Sequence, residues 1–460
     1  MENPSHPGRD GGVKDTLGPE DVRVPHQAFA PGGEIDAARK MCKGIEACEL
    51  VGHVLEVEDI KIYHLDIGGI EEWIGTHSGG EGDDVARLSP EKRRDETGAQ
   101  KTEGSGDTDS HFFLIGLVYM MWRHRVNILV TGASGFVGRR LVDRLLATRP
   151  QDRVAILLMP GESEPEAFAG KVETIRGDVR DAQAVHAAVR GKDLVFHLAG
   201  FISYWILDDE IMRGVNVDGV KAVVEACLES RVRRLVHVSS VGAIGFHHDG
   251  RHADEDTPFN WPESFGYMTT KRDGQKVVLE AARDHGLDAV IINPASVMGP
   301  GDPGAMSAHN RLYASMYKGK TFLGTLGGGL AIVDVRDLVE TILAAAEKGR
   351  SGETYLSVGA NVPYTRVLEL MAHNAGRRFI PFVAPPLLLA AAGWAAELLS
   401  RLTRKRPLIT AAYGRLSGWS AFYSAEKSRR ELGVSYRPLE ETIADGCRYY
   451  EETFLKRAGG

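Results

Sequence analysis

Asn127-Ile-Leu-Val-Thr-Gly-Ala-Ser-Gly-Phe-Val-Gly138 reads as a buried strand that runs through a glycine-rich turn into a helix. Val126 to Thr131 is largely apolar, as expected for a parallel strand covered on both faces. Beyond the turn, Val137, Leu141, Val142, Leu145 and Leu146 form one apolar stripe at helical spacing. Gly132 permits the tight turn, Gly135 lets the backbone approach a pyrophosphate, and Gly138 lets the helix pack close to the strand. The helix start at Ser134 to Gly138, with Phe136 and Val137, presents N–H groups and the positive end of the helix dipole to phosphates. This unit is predicted to bind a dinucleotide.

Outward from that unit the pattern repeats. Strands are predicted at Val154 to Met159, Val172 to Ile175, Asp193 to His197, Arg234 to Ser239 and Ala289 to Asn293, with helices between them that include Asp208 to Glu229 and Tyr267 to His285. Repeated βα units specify an α/β, Rossmann-type doubly wound parallel sheet with ligands at the carboxyl ends of the strands. Residues 123–300 are read as the NAD(P)-binding domain. Residues 301–460 are read as a smaller, mostly helical substrate-binding lobe, with 330–358 returning to the Rossmann core.

Residues 1–122 are read as a low-order extension rich in Gly, Asp, Glu and Lys, in which Glu56 to Ile70 holds material for a strand or two. His111 to Trp122 is apolar but far short of the ~20 residues that span a bilayer. Met120 and Met121 stand just before the first strand and offer an alternative start.

Composition narrows the function. The 460 residues are 43% hydrophobic and 26% charged, with a net charge of −8 and no long basic stripe, which argues against a nucleic-acid partner. Cys42, Cys48, Cys227 and Cys447 lack metal-ligand spacing and fit a reduced, cytoplasmic compartment.

Tyr267-Met-Thr-Thr-Lys271 places a phenol and an ammonium one helical turn apart. A phenol of pKa about 10 is a poor base at neutral pH. A lysine at i+4 shares its helix face and stabilises the phenolate. Tyr267 can then exchange a proton with a substrate oxygen while hydride moves at carbon. Ser240, at the end of Leu235-Val-His-Val-Ser-Ser240, would hold that oxygen. The dinucleotide itself is less defined. The second strand ends Ile156-Leu-Leu-Met-Pro160, without the carboxylate that selects NAD and without an arginine for a 2′-phosphate. The missing acid leans the reading toward NADP, with Arg139 and Arg140 as nearby cations.

From about residue 125 to 456 the chain resembles the extended short-chain dehydrogenases/reductases of the NAD-dependent epimerase/dehydratase superfamily. The resemblance is carried by Thr131 to Gly138, Gly177-Asp-Val-Arg-Asp181, Phe196-His-Leu-Ala-Gly200, Ser239-Ser240, Tyr267-x-x-x-Lys271, Asn293-Pro-Ala-Ser-Val-Met-Gly-Pro300 and Ile332-Val-Asp-Val-Arg-Asp337. It implies that Asp178 and Val179 contact the adenine and that Ala199 and Gly200 line the dinucleotide. It also implies that Lys271 holds the nicotinamide ribose, that Pro294 to Val297 border the nicotinamide, and that Asn216, in Asn216-Val-Asp-Gly219, supports the site. Homodimers are common in the family.

Within the family the look is nearest to dihydroflavonol 4-reductase-like proteins and hopanoid-associated sugar epimerases, through Gly352-Glu-Thr-Tyr355 and Ser424 to Gly433. The nucleotide-sugar 4,6-dehydratases carry Asp-Glu after the active-site hydroxyl. Val241-Gly242 here speaks against that route.

His247, His248, Asp249, His252, Asp254, Glu255 and Asp256 are read as a polar, solvated loop rather than metal ligands, and His197 as a packed residue. Pro385-Pro-Leu-Leu-Leu-Ala-Ala-Ala-Gly-Trp394, followed by Arg401, Arg404, Lys405 and Arg406, is read as a substrate-lobe helix packing on the pocket. Peripheral membrane contact through 385–406 is the competing reading. The resulting expectation is an NAD(P)-dependent oxidoreductase acting on a small apolar or aromatic carbonyl or alcohol, dihydroflavonol 4-reductase-like or 3β-hydroxysteroid dehydrogenase-like. The substrate would be bound by Phe201 to Trp205, the Gly299 to Met306 loop and the C-terminal helices. A nucleotide-sugar epimerase and a non-catalytic NAD(P)-sensing module are the alternatives.

Overall fold

The computed structural model describes residues 63–67, 70–74, 125–302, 310–317, 322–325, 327–407 and 409–458. The chain divides into two units, Met1–Arg123 and His124–Gly460. In the first, Tyr63–Ile67 and Ile70–Ile74 pair as an antiparallel hairpin. The remaining expectations for residues 1–122, Cys42 and Cys48 included, lie outside the described residues.

In the second unit the predicted βα repeats form one seven-stranded sheet. Its strands are β1 Asn127–Thr131, β2 Arg153–Leu158, β3 Glu173–Arg176, β4 Leu194–His197, β5 Arg234–Val238, β6 Ala289–Pro294 and, after three strands described below, β10 Thr354–Ser357. The spatial order is β10-β6-β5-β4-β1-β2-β3, and every pairing is parallel. The order reverses at β1, whose neighbours are β2 and β4. Such a reversal opens a crevice at the carboxyl ends of the strands.

The alternation of strand side chains supplies both faces. Ile128, Val130, Val154 and Ile156 point to one side, where helices α1 Phe136–Thr148 and α7 Val335–Lys348 cover them with Leu141, Leu145, Leu338 and Ile342. Leu129, Ala155 and Val195 point to the other. There α2 Ala182–Val189, α4 Gly219–Glu229 and α5 Gly266–His285 cover them with Val185, Val223 and Val278. A short helix, α3 Asp209–Arg213, and a π-helical turn at Gly214–Asp218 lead into α4. The helix read as Asp208 to Glu229 is therefore interrupted.

The second lobe begins with β7 Ser296–Met298, α6 Asn310–Tyr317 and β8 Phe322–Thr325. Strand β9 Gly329–Asp334 pairs in parallel with β7, antiparallel with β11 Ala360–Pro363 and in parallel with β13 Ser420–Ala421. Strand β12 Phe379–Val383 pairs with β8. The helices are α8 Tyr364–Asn374, α9 Pro386–Thr403, α10 Ala411–Leu416, α11 Glu426–Leu432 and α12 Leu439–Ala458. A third core of Met298, Ile332, Leu368, Met371, Ile443 and Tyr450 holds this lobe together. Through β9, α7 and β10 the chain returns to the main sheet after entering the second lobe. No described helix is long and apolar enough to cross a membrane.

Candidate active site

Gly132 leaves β1 at φ 70°, in the left-handed region that glycine tolerates. A Cβ there would lie 2.8 Å from the Ala199 amide nitrogen, because the chain leaving β4 presses on the turn. A Cβ on Gly138 would fall 2.1 Å from the Gly132 carbonyl oxygen, so α1 seats directly against the turn. Gly135 is the N-cap of α1, no side chain caps it, and no acid stands in its first turn. The geometry thus leaves a bare helix start, with Ser134, Phe136 and Val137 in it, facing the crevice. These features fit the pyrophosphate of a dinucleotide.

Thr131 Oγ1 accepts the Ala199 N–H at 3.1 Å and meets His197 Nδ1 at 2.8 Å. Burial, then the nearby Lys271 ammonium, pushes His197 down to about 3. His197 is therefore neutral, and it stacks on the equally buried His237 with ring centroids 5.3 Å apart. It fixes the β1–β4 exit rather than handling protons.

Lys271 lies on α5 with its Nζ donating to the Val238 carbonyl at 3.4 Å. Burial lowers it to about 8. Gly200 is its seat, since a Cβ there would stand 3.0 Å from Nζ and 3.5 Å from Asn216 Oδ1. Asn216 occupies the π-helical turn, an irregularity that recurs at functional sites. Its side chain clamps Phe201, accepting the N–H at 2.9 Å and donating to the carbonyl at 2.8 Å, and also donates to Thr270 Oγ1 at 3.1 Å. Gly274, one turn beyond Lys271, lets α5 touch this turn: a Cβ there would be 2.1 Å from the Asn216 carbonyl oxygen.

Tyr267 hydrogen-bonds Ser240, while burial, the larger influence, raises its phenol. The phenol is therefore protonated at neutral pH. Ser240 is held in turn. Its Oγ accepts the Gly242 N–H at 3.0 Å, and its carbonyl accepts from Asn293 Nδ2 at 2.6 Å. Asn293 also donates to Gln275 Oε1 at 2.8 Å, which ties β6 to α5. The sheet and one helix thus bring together three residues far apart in sequence.

The other residues expected at the cofactor take these places. Asp178 is paired with Arg180, whose guanidinium holds the carboxyl below its usual range. Val179 is buried against Gly219, 3.2 Å from where a Cβ would stand. Pro294 ends β6, and Val297 lies on β7 opposite Val333. In the polar loop, Glu255 accepts the Leu356 N–H at 2.8 Å and His248 packs edge-on to Phe246 and Trp419. Of the Gly299 to Met306 loop, residues 303–306 lie outside the described residues.

The segments expected to bind substrate contribute an aromatic cluster, and one carboxylate escapes a sequence reading. Tyr204 stands edge-on to Tyr267 at 6.2 Å and beside Tyr413 of α10 at 6.1 Å, and Tyr413 hydrogen-bonds Tyr364. Glu162, three residues past the end of the second predicted strand, turns back: its carboxylate accepts from Ser134 Oγ and from the Met159 N–H, each at 3.1 Å. The turn after β2 thus carries a carboxylate that the strand itself lacks. Gly274 could have been suspected, because a glycine inside a helix costs ~1 kcal/mol and usually marks a close approach. No local signal marks Glu162.

Known proteins resemble this chain in sequence and fold. A family model described as NAD dependent epimerase/dehydratase family matches residues 128–359. Sterol demethylase protein B of Methylococcus capsulatus is 30% identical over 335 residues, covering 70% of this chain and 98% of its own. The 4-hydroxy-2-methyl-3-oxo-4-farnesyl-3,4-dihydroquinoline-1-oxide ketoreductase of Stigmatella aurantiaca is 30% identical over 333 residues, covering 69% of this chain and 95% of its own. The crystal structure of gox2253 matches with a TM-score of 0.61 at 30% identity, covering 72% of this chain and 99% of that one. A nicotinamide-dependent oxidoreductase on a Rossmann sheet is the class that fold and site define. The chain belongs to the NAD dependent epimerase/dehydratase family, among the extended short-chain dehydrogenases/reductases.

Proposed function

We propose that this enzyme reduces a carbonyl, or oxidises the matching alcohol, on a small apolar or aromatic substrate, with Ser240, Tyr267 and Lys271 as its catalytic residues. The observation that carries the substrate class is the cluster of Tyr204, Tyr413 and Tyr364, in which the Tyr204 ring stands edge-on to the Tyr267 ring. Two of its relatives are named for sterol and farnesyl-quinoline chemistry. When bound, the nicotinamide supplies or accepts the hydride. In the reductive direction Ser240 orients the carbonyl oxygen, and the protonated Tyr267 donates its hydrogen to it. The Lys271 ammonium, seated over Gly200, holds the ribose hydroxyls. Asp178, Val179, Ala199, Gly200, Pro294 and Val297 border the remainder of the cofactor. The compartment that fits is the cytoplasm, with Cys227 a buried free thiol.

Initial rates with NADH and NADPH against a 3-ketosteroid, a dihydroflavonol and UDP-glucose test the reading. Turnover of the first or second supports it. Turnover of UDP-glucose alone would shift it to the epimerase. Cofactor binding without turnover of any substrate would shift it to the sensing module.

We propose NAD as the preferred dinucleotide, reversing the lean toward NADP. The Glu162 carboxylate lies between the β2 terminus and the phosphate turn, where it would accept from ribose hydroxyls and repel a 2′-phosphate. Glu162→Gln removes the charge and should raise the NADPH-to-NADH ratio of kcat/KM by about tenfold, for about 1.4 kcal/mol of relieved repulsion. An unchanged ratio would remove Glu162 from cofactor choice.

Lys271 also makes the pH profile informative. Its ammonium loses its proton as pH rises through about 8. Since kcat/KM reports groups of the free enzyme, it should fall on that alkaline limb. A profile flat to pH 10 would show that the charge of Lys271 is not needed.

A further inference from the structure

Helix α9 is inside out. At about 100° per residue, Trp394, Leu387, Leu398, Ala391, Leu402, Ala395, Leu388, Leu399 and Ala392 follow one another around an arc of about 180°. All nine are exposed, with Leu387 and Leu402 at 81% and Trp394 at 64%, and none is polar. A surface helix of a water-soluble protein turns its apolar stripe inward. Here the inward side is mostly small or polar instead, with Leu389 its one leucine. Gly393 and Ser400 are the only fully buried positions. A Cβ on Gly393 would stand 2.3 Å from the Thr410 carbonyl carbon, and one on Gly414 of α10 would stand 2.4 Å from the Ala390 nitrogen. The two helices therefore meet backbone to backbone and leave the large side chains outside. The segment read as a substrate-lobe helix packing on the pocket meets α10 and Trp205 through its small residues and turns its apolar arc outward.

The surface continues beyond α9. Phe382 and Val383 at the end of β12 are exposed, as are Ile202, Ile206, Leu207 and Ile211 in the segment that leads from the cofactor crevice. That segment is fastened to α9. Trp205 Nε1 donates to Ser400 Oγ at 3.0 Å, and Arg406 pairs with Asp208. Contiguous apolar surface of this extent marks an interaction site.

Charge selects the occupant. Arg401, Arg404 and Lys405 stand exposed at the carboxyl end of α9, and none has an ion-pair partner among the described residues. These three unpaired cations belong to a chain of net charge −8. An apolar layer bordered by negative charge satisfies both the arc and its basic end, and an anionic lipid surface offers that combination.

We propose that α9 docks this enzyme on an anionic membrane, the apolar arc lying in the headgroup–acyl boundary and the basic end among the phosphates. Docking stands independently of the reaction. Its consequence rests on the proposed function: a bilayer-dissolved substrate would enter beside α9 and α10, the helix that carries Tyr413 to the aromatic cluster at Tyr267.

Flotation of the full chain with vesicles tests it, without cofactor or substrate. Wild-type protein should float with phosphatidylcholine–phosphatidylglycerol vesicles and much less with phosphatidylcholine alone, and salt should weaken the binding. Leu398→Glu with Leu402→Glu should bind at least about tenfold more weakly, two leucine side chains being lost from the lipid. Its melting temperature and its NAD(H) affinity should be unchanged. Arg404→Glu with Lys405→Glu should lose only the preference for anionic vesicles. Wild type that stays at the bottom, or a double-leucine variant that floats equally well, would overturn the proposal. So would a wild-type dimer in light scattering that the leucine variant converts to monomer while neither floats, since a second copy would then cover the face. Failure of turnover on every carbonyl would count against the proposed function and leave the flotation result standing.

Discussion

Replacing Tyr267 by phenylalanine is expected to lower kcat by about 10²–10⁴-fold, the usual contribution of a positioned proton donor. The substitution keeps the ring that Tyr204 meets edge-on at 6.2 Å and removes only the hydroxyl that bonds Ser240. Cofactor affinity and melting temperature should therefore stay near wild type, so that the loss reports chemistry rather than folding. Burial raises the phenol, which adds a directional expectation. Reduction, which uses the protonated form, should run well at neutral pH, and alcohol oxidation should speed up with pH only until Lys271 loses its proton at about 8. Steady-state rates in both directions with a fluorescence titration of NADH give all three quantities. A Tyr267→Phe enzyme that turns over at the wild-type rate would end the mechanism.

Adding one methyl group at Gly138 is expected to destroy cofactor binding. The new carbon would stand 2.1 Å from the Gly132 carbonyl oxygen and 2.8 Å from the Ala133 Cα, and both are backbone atoms that no rotamer change can move. Helix α1 must then withdraw from the turn, and the N–H groups at its start withdraw with it. A loss of ~1–3 kcal/mol in stability is typical of such overpacking, with NADH affinity falling at least about tenfold for each 1.4 kcal/mol of lost contact. Thermal melting and the same fluorescence titration read both effects. A Gly138→Ala protein with unchanged melting temperature and NADH affinity would show that the phosphate turn is not where the structure puts it.

Much of the sheet was legible because its signals are local. Val126 to Thr131 is apolar without alternation, and the observed strand Asn127–Thr131 is buried on both faces. Predicted strands match observed ones within about a residue, since parallel strands flanked by helices leave few other homes for such runs. The helix read at Asp208 to Glu229 was legible only in part. Its hydrophobic pattern continues through Gly214–Asp218, but the backbone there widens into a π turn so that Asn216 can reach Phe201 and Thr270. Periodicity registers a stripe and is blind to one inserted hydrogen-bond step. Met159 illustrates a different limit. The strand end lacks a carboxylate, as read, and Glu162 reaches back to it through a turn whose path no spacing rule describes.

The sequence by itself determined the βα junction at Gly132–Gly138 and the Tyr267–Lys271 helix face. Both depend on contacts within a few residues, where backbone conformation and the 3.6-residue helical period suffice. Only the tertiary structure decided three other matters. Ser240 meets Tyr267 because β5 and α5 converge, Glu162 turns back to Ser134 and Met159, and α9 turns its apolar arc outward. A hydrophobic stripe fixes which side of a helix is apolar but not what that side meets. That was settled by Gly393, Ser400 and Gly414, whose small side chains let α9 and α10 close on each other and left the leucines outside.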